Sequence, residues 1–178
     1  MLRIVNVPHP VLANPTKTVD KIDEEIRKFV YEMEETLASQ SDPQGVGLAA
    51  NQVGRDLSIF IIKKSPQADT QVFINPRILD KVSPLKVRPS KKDKKGEKLE
   101  GCLSIPRIWG PVKRSSKVLV EYQDLNSQSH KRWFKGFEAV IIQHEMDHLN
   151  GVVFTQRSME QNAPLYKEVD GKLKNFEI

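Results

Sequence analysis

Thiols and imidazoles are scarce in this chain of 178 residues, which carries one cysteine, Cys102, and four histidines. A lone cysteine cannot close an internal disulfide, so a small stapled secreted scaffold is excluded. Long hydrophobic runs are also missing. None approaches the roughly 20 residues that a membrane-spanning helix needs, and no membrane partner is expected. The opening Met-Leu-Arg-Ile-Val-Asn-Val is interrupted by Pro8 and Pro10 too early to be the apolar core of a secretory signal, and it lacks the Arg/Ser-rich pattern of a transit peptide. A cytoplasmic location is therefore expected. Internal repeats are absent.

With a hydrophobic content of 38%, the chain can bury a core of its own, and residues 1–178 are expected to form one domain. The formal net charge of +5 fits either an anionic partner such as nucleic acid or an ordinary soluble surface. Its densest basic stretch holds Lys86, Arg88, Lys91, Lys92, Lys94, Lys95 and Lys98 with almost nothing apolar between them, the composition of a solvated loop.

Hydrophobic periodicity predicts the main elements. Ile22, Ile26, Phe29, Val30, Met33 and Leu37 recur at helical spacing, with Asp20 or Asp23 available as a cap. Ser41-Asp42-Pro43-Gln44-Gly45 ends that helix, and a glycine-rich loop is expected to begin there. Residues 57–62 and 71–75 are short β-branched and aromatic runs that read as strands, bounded by Pro66 and Pro76. Residues 117–123 and 130–135 flank Asp124-Leu125-Asn126-Ser127, which predicts an antiparallel hairpin. A second helix is expected over 137–150, apolar nearly all round and hence buried, with Gly151 as its stop. The sum is an α+β fold: mainly antiparallel sheets around a buried helix, with an amphipathic helix near the N-terminus.

The buried helix carries the chemistry. His144 and His148 lie four residues apart, so their rings leave one face about a turn from each other and can share a metal ion. Glu145 stands at the rim of that face, placed to take a proton from a water that the metal activates. The competing reading is two packed histidines, but His-Glu-x-x-His is rare by chance in a chain with four histidines. A catalytic metal needs a third ligand. The metzincin pattern fails because Phe154 stands where its third histidine belongs, and Glu168, at a distance tolerable for a thermolysin-like ligand, lies in a polar stretch without an apolar helix to hold it. Cys102, in Leu99-Glu100-Gly101-Cys102-Leu103-Ser104, is the better candidate, since its thiolate would suit a soft or borderline ion. An inert buried thiol and a thiol nucleophile remain open for it.

Three segments taken together resemble peptide deformylases: Gly45-Val46-Gly47-Leu48-Ala49-Ala50-Asn51-Gln52, Glu100-Gly101-Cys102-Leu103-Ser104 and Gln143-His144-Glu145-Met146-Asp147-His148-Leu149, in the family's order and approximate spacing. His9-Pro10-Val11-Leu12 is similar to the family's N-terminal region, so the resemblance runs from Met1 to about Arg157. The tail, 158–178, carries no motif and is left unassigned; Gly171 disfavours the long closing helix of many bacterial members.

The resemblance implies removal of the N-formyl group from the initiator methionine of nascent polypeptides, with release of formate. It implies one divalent ion on Cys102, His144 and His148, Fe(II) in the cell, with Zn, Ni or Co able to take its place. Glu145 would be base and then acid, while the Gln52 amide and the Leu103 N–H would stabilise the formyl oxyanion. For Gln52 a turn-capping amide is the alternative. Gly45 and Gly47 would let a substrate backbone approach a sheet edge, and Val46, Phe137, Val140 and Ile141 would receive the methionine side chain or else serve as ordinary core. An ion pair between Glu100 and Arg114 is expected to fix the Cys102 segment. The lysine-rich run, longer and more basic than the family's usual, would either alter the pocket rim near Lys98 or dock on ribosomal RNA. The rivals are a peptidase built on the same helix, and a basic RNA-binding module whose structural metal would need a fourth ligand.

Overall fold

The computed structural model describes residues 1–41, 44–82 and 99–176. Helix α1 (Glu24–Ala38) begins where the sequence offers a cap: the Asp23 carboxylate accepts the Ile26 N–H at 3.2 Å. Glu24 and Glu25 in the first turn complement the positive end of the helix dipole.

The helix packs on a five-stranded antiparallel sheet of order β1-β2-β3-β6-β7, comprising β1 (Gly47–Ala49), β2 (Ile59–Ile62), β3 (Gln71–Val82), β6 (Lys117–Gln123) and β7 (Ser129–Lys135). Strand β2 explains why its sequence is continuously apolar rather than alternating. Ile59 and Ile61 join Phe29, Val30 and Met33 of α1 in one cluster, while Phe60 and Ile62 join Ile141 and Ile142 of helix α2 (Phe137–Leu149) in another. A strand covered on both faces has no polar side to show. Each of these fully buried side chains contributes roughly 1.5–3 kcal/mol of transfer free energy. Helix α2 stops at Gly151, whose φ is 71°, and a Cβ there would come within 2.7 Å of the Asn14 backbone. Only glycine satisfies both constraints.

A second antiparallel sheet, β4-β5-β8-β9, is built from β4 (Leu99–Cys102), β5 (Ile105–Pro111), β8 (Leu165–Val169) and β9 (Lys172–Phe176), and helix α3 (Phe154–Glu160) packs against β5. Its small core is Cys102, Ile105, Phe154 and Leu165. The α+β class, the two helices and the hairpin of 117–135 match the sequence expectations.

Three details differ. The glycine-rich segment is an edge strand, β1, followed by a 3-10 turn over Ala50–Val53, because Gly47 to Ala49 pair with Phe60 to Ile62. Pro76 does not end a strand: β3 continues to Val82, with a register shift between Ile74 and Arg77 that accommodates the missing N–H. The unassigned tail closes in a hairpin, turning at Asp170-Gly171 with positive φ at both residues. The lysine-rich stretch within 86–98, and Asp42-Pro43, lie outside the described residues.

Candidate metal centre and substrate cleft

The site forms where α2 meets the end of β4. One helical turn sets the His144 and His148 ring centroids 5.0 Å apart. Cys102 is the last residue of β4, before the Leu103-Ser104 turn, and its Sγ lies 3.2 Å from Nε2 of His148. Donor atoms of Cys102, His144 and His148 all fall within 4.8 Å of one another.

Two further groups orient these donors. The Glu100 carboxylate engages Nδ1 of His144 at 3.0 Å, which leaves Nε2 for an ion and fixes the ring. Gln52, on the 3-10 turn after β1, accepts the Ala49 N–H through Oε1 at 2.9 Å and directs Nε2 to Cys102 Sγ at 3.4 Å and Ser104 Oγ at 3.2 Å. The turn-capping role and the site-facing role thus belong to opposite ends of one amide.

Glu100 is itself held by Arg114 through two hydrogen bonds of 2.8 Å, and Arg114 reaches on to Asp147 of α2. Arg157 of α3 closes the other side of Asp147 at 2.8 Å. The expected Glu100–Arg114 pair is therefore part of a five-residue chain, His144–Glu100–Arg114–Asp147–Arg157, that ties β4, α2 and α3 together. Asp147 and Arg157 were not legible as site residues. The available signal was a carboxylate inside a helix read as buried, which must find cations there.

The electrostatics divide the two glutamates. Burial pushes Glu100 up, but the hydrogen bonds and charges of Arg114 and His144 outweigh it and hold the carboxyl down at about 2. Burial also acts on Glu145, where the opposing charges of His144 and Arg114 are too weak to reverse it, and its carboxyl rises to about 7. Burial drives His148 well down; for His144 burial is overcome by Cys102 and Glu100, which push it well up. Glu145 Oε2 is buried with no hydrogen-bond partner among the described residues, and its carboxylate lies against Gly47, where any Cβ would collide with it. An acidic group with a free oxygen and a pKa near neutrality is what proton transfer at neutral pH requires.

A thiol and two imidazoles converging from one side fit a divalent ion, since three protein donors leave a coordination position open. Beside them opens a cleft of about 630 Å³, within the usual range for a small-ligand site. Gly45, Val46 and Gly47 line one side, Phe137, Val140 and Ile141 another, and Gln52, Leu103, Glu100, Arg114 and Glu145 also border it. All of these the sequence proposed. Leu99, Trp109 and Val112 complete the apolar wall and were missed, because the β4–β5 hairpin was hidden by Pro106, Gly110 and Pro111.

Glu168, the rejected ligand, sits elsewhere and accepts from the Trp109 indole, while Phe154, which breaks the metzincin pattern, is buried with its ring 6.2 Å from that of His144. The other two histidines lie apart from the site: His9 caps a 3-10 turn over Pro10–Leu12, and His130 pairs with Asp124.

A family model described as polypeptide deformylase matches residues 1–163. The chain belongs to the polypeptide deformylase family. It is 34% identical to the peptide deformylase of Desulfotalea psychrophila over 172 residues, 94% of each chain. The Borreliella burgdorferi peptide deformylase is 38% identical over 156 residues, 86% of this chain and 85% of that one. Among solved structures, the Synechococcus elongatus peptide deformylase in complex with actinonin superposes with a TM-score of 0.75 at 36% identity, covering 88% of this chain and 79% of that one. The Thermotoga maritima peptide deformylase gives 0.74 at 34% identity, covering 88% and 97%. The chain is accordingly a metal-dependent hydrolase that removes the N-formyl group from new polypeptides. No helix among the described residues is long and apolar enough to cross a membrane.

Proposed function

We propose that this deformylase binds one divalent ion through Cys102, His144 and His148, Fe(II) in the cell, with Zn, Ni or Co occupying the same donors when supplied. The observation that carries the reading is the convergence of these three donors beside an unpartnered Glu145 oxygen at the head of an apolar cleft. The ion, when bound, supplies Lewis-acid polarisation of the formyl carbonyl and makes a water acidic near neutral pH.

The chain's own residues do the rest. Glu145 accepts the proton of the attacking water and returns it to the departing amine nitrogen, so the formyl C–N bond breaks to formate and a free α-amine. Gln52 Nε2 and the Leu103 N–H donate to the formyl oxygen as negative charge gathers there. The substrate chain lies along Gly45 to Gly47 at the free edge of β1, and its methionine side chain enters the pocket formed by Val46, Phe137, Val140 and Ile141. Glu100 holds the His144 tautomer, and Arg114 holds Glu100.

Residues 1–178 act as one cytoplasmic catalytic domain on nascent formylmethionyl chains, and the basic residues of 86–98 meet the ribosome.

The test is formate release from formyl-Met-Ala by anaerobically metal-loaded protein, with metal content measured in parallel. Formate and a new amine are expected from the native chain, and loss of both metal and formate from Cys102→Ala. Cleavage of internal peptide bonds without formate would make it a peptidase, and full metal content in Cys102→Ala would remove that thiol from the ligand set.

A further inference from the structure

The β8–β9 hairpin takes no part in the chemistry above, yet it touches a wall of the cleft. In the antiparallel register Trp109 of β5 pairs with Gly101 of β4 on one side and with Tyr166 of β8 on the other. A Cβ on Gly101 would lie 2.6 Å from Cζ3 of the Trp109 ring, so the glycine is what allows the indole to lie against the strand that carries Cys102. A half-buried indole has one polar atom, its N–H, which needs an acceptor. Here the acceptor is Oε2 of Glu168, two residues beyond Tyr166, at 3.0 Å. A carboxylate acceptor makes this a charge-assisted bond, stronger and more directional than a neutral one. It spends the only polar atom of the ring on β8, so what Trp109 contributes to the cleft it lines is aromatic carbon.

We propose that Glu168 is a positioning residue for substrate selection. By holding the Trp109 indole against Gly101, it builds an apolar wall that favours peptides with a large apolar side chain at the second or third residue after the formyl group. The inference rests on the deformylase reading of the cleft. With the formyl carbon at the Cys102–His144–His148 donors, an extended peptide advances about 3.3 Å per residue. A ring lying over the neighbour of Cys102 is then within reach of the residues that follow methionine. The pocket for methionine itself is on α2, where Val140 and Ile141 stand.

The test is kcat and KM for formyl-Met-Ala, formyl-Met-Ala-Ala, formyl-Met-Phe-Ala and formyl-Met-Ala-Phe, with the metal-loaded native chain and its Glu168→Ala, Glu168→Gln and Trp109→Phe variants. The native chain should show a lower KM for a phenylalanine-bearing tripeptide than for the all-alanine one. Glu168→Ala should raise that KM about fivefold, the scale of one lost hydrogen bond, with kcat and metal content held. Glu168→Gln, whose amide oxygen still accepts, should restore the preference. Trp109→Phe, which keeps a ring but has no N–H, should lose it, and adding Glu168→Ala to that variant should change nothing further. A phenylalanine preference surviving in Glu168→Ala or in Trp109→Phe would overturn the proposal. So would a loss equal for all four peptides, which would mark a merely structural contact. A native chain that released no formate even from formyl-Met-Ala would instead overturn the deformylase reading beneath it.

Discussion

Two walls meet at the candidate metal centre, and each brings a buried glutamate. The wall formed by α2 and the five-stranded sheet contributes Glu145, packed among Gly47 and Ile141, with one oxygen unpartnered among the described residues and its carboxyl pushed up to about 7. The wall formed by the β4–β5 hairpin contributes Glu100, spanned by Arg114, bonded to His144 and held down at about 2. Burial acts on both and in the same direction. What separates them is whether cationic donors reach the carboxylate, and that difference divides the labour: the unpartnered acid can move a proton, while the paired one can only hold a ring.

Arg114 is the residue on which the contrast depends. Replacing it with methionine leaves Glu100 and Asp147 buried without their shared cation, so Arg114→Met should destabilise the fold by about 3–5 kcal/mol, as read by urea unfolding. A loss below about 1 kcal/mol would mean that the two walls stand independently.

The glutamates should also give opposite pH dependences in metal-free protein. Glu100 lies below its ordinary 4.5 in the folded state, so its stabilisation is complete above 4.5 and is lost as pH falls toward about 2. Glu145 lies above 4.5, so the folded state holds the extra proton and stability declines as pH rises from 4.5 through about 7. Each contribution is on the order of 3 kcal/mol. Thermal melts should therefore show Glu100→Gln flattening the acid limb and Glu145→Gln flattening the limb toward neutrality. Any other pairing of variant with limb would reverse the assignment.

Far from both walls, Asp23→Ala should cost only about 1 kcal/mol by removing the cap of α1, with formate release unaltered. An effect on turnover there would show that α1 is coupled to the cleft.

How much of this could be read beforehand follows the same division. The α2 wall was legible because its information is local: helical spacing places His144, Glu145 and His148 on one face, and Gly151 marks the end. Strand β2 was legible because a doubly covered strand is apolar throughout. The β4–β5 wall depends on pairing across the chain, which periodicity does not carry, and Pro106 and Gly110 interrupt the strand-like pattern of β5 in the sequence. Cys102 was reached by chemical need rather than by pattern. The β8–β9 hairpin had a readable signal in Asp170-Gly171 between Leu165–Val169 and Lys172–Phe176. Glu168 was weighed as a ligand because its residue type suited a metal, yet register turns it toward Trp109. The role of Asp147 required knowing that Arg114, in the loop after β5, and Arg157 of α3 converge on it.

Proton transfer by Glu145 is tested most directly by Glu145→Gln. Amide for carboxylate keeps the shape of the α2 wall and all three donors, so the variant loaded anaerobically with Fe(II) should retain its metal while formate release from formyl-Met-Ala falls by roughly 10²–10⁴. Turnover within about tenfold of the native rate, with metal bound, would contradict the claim that the unpartnered glutamate moves the proton.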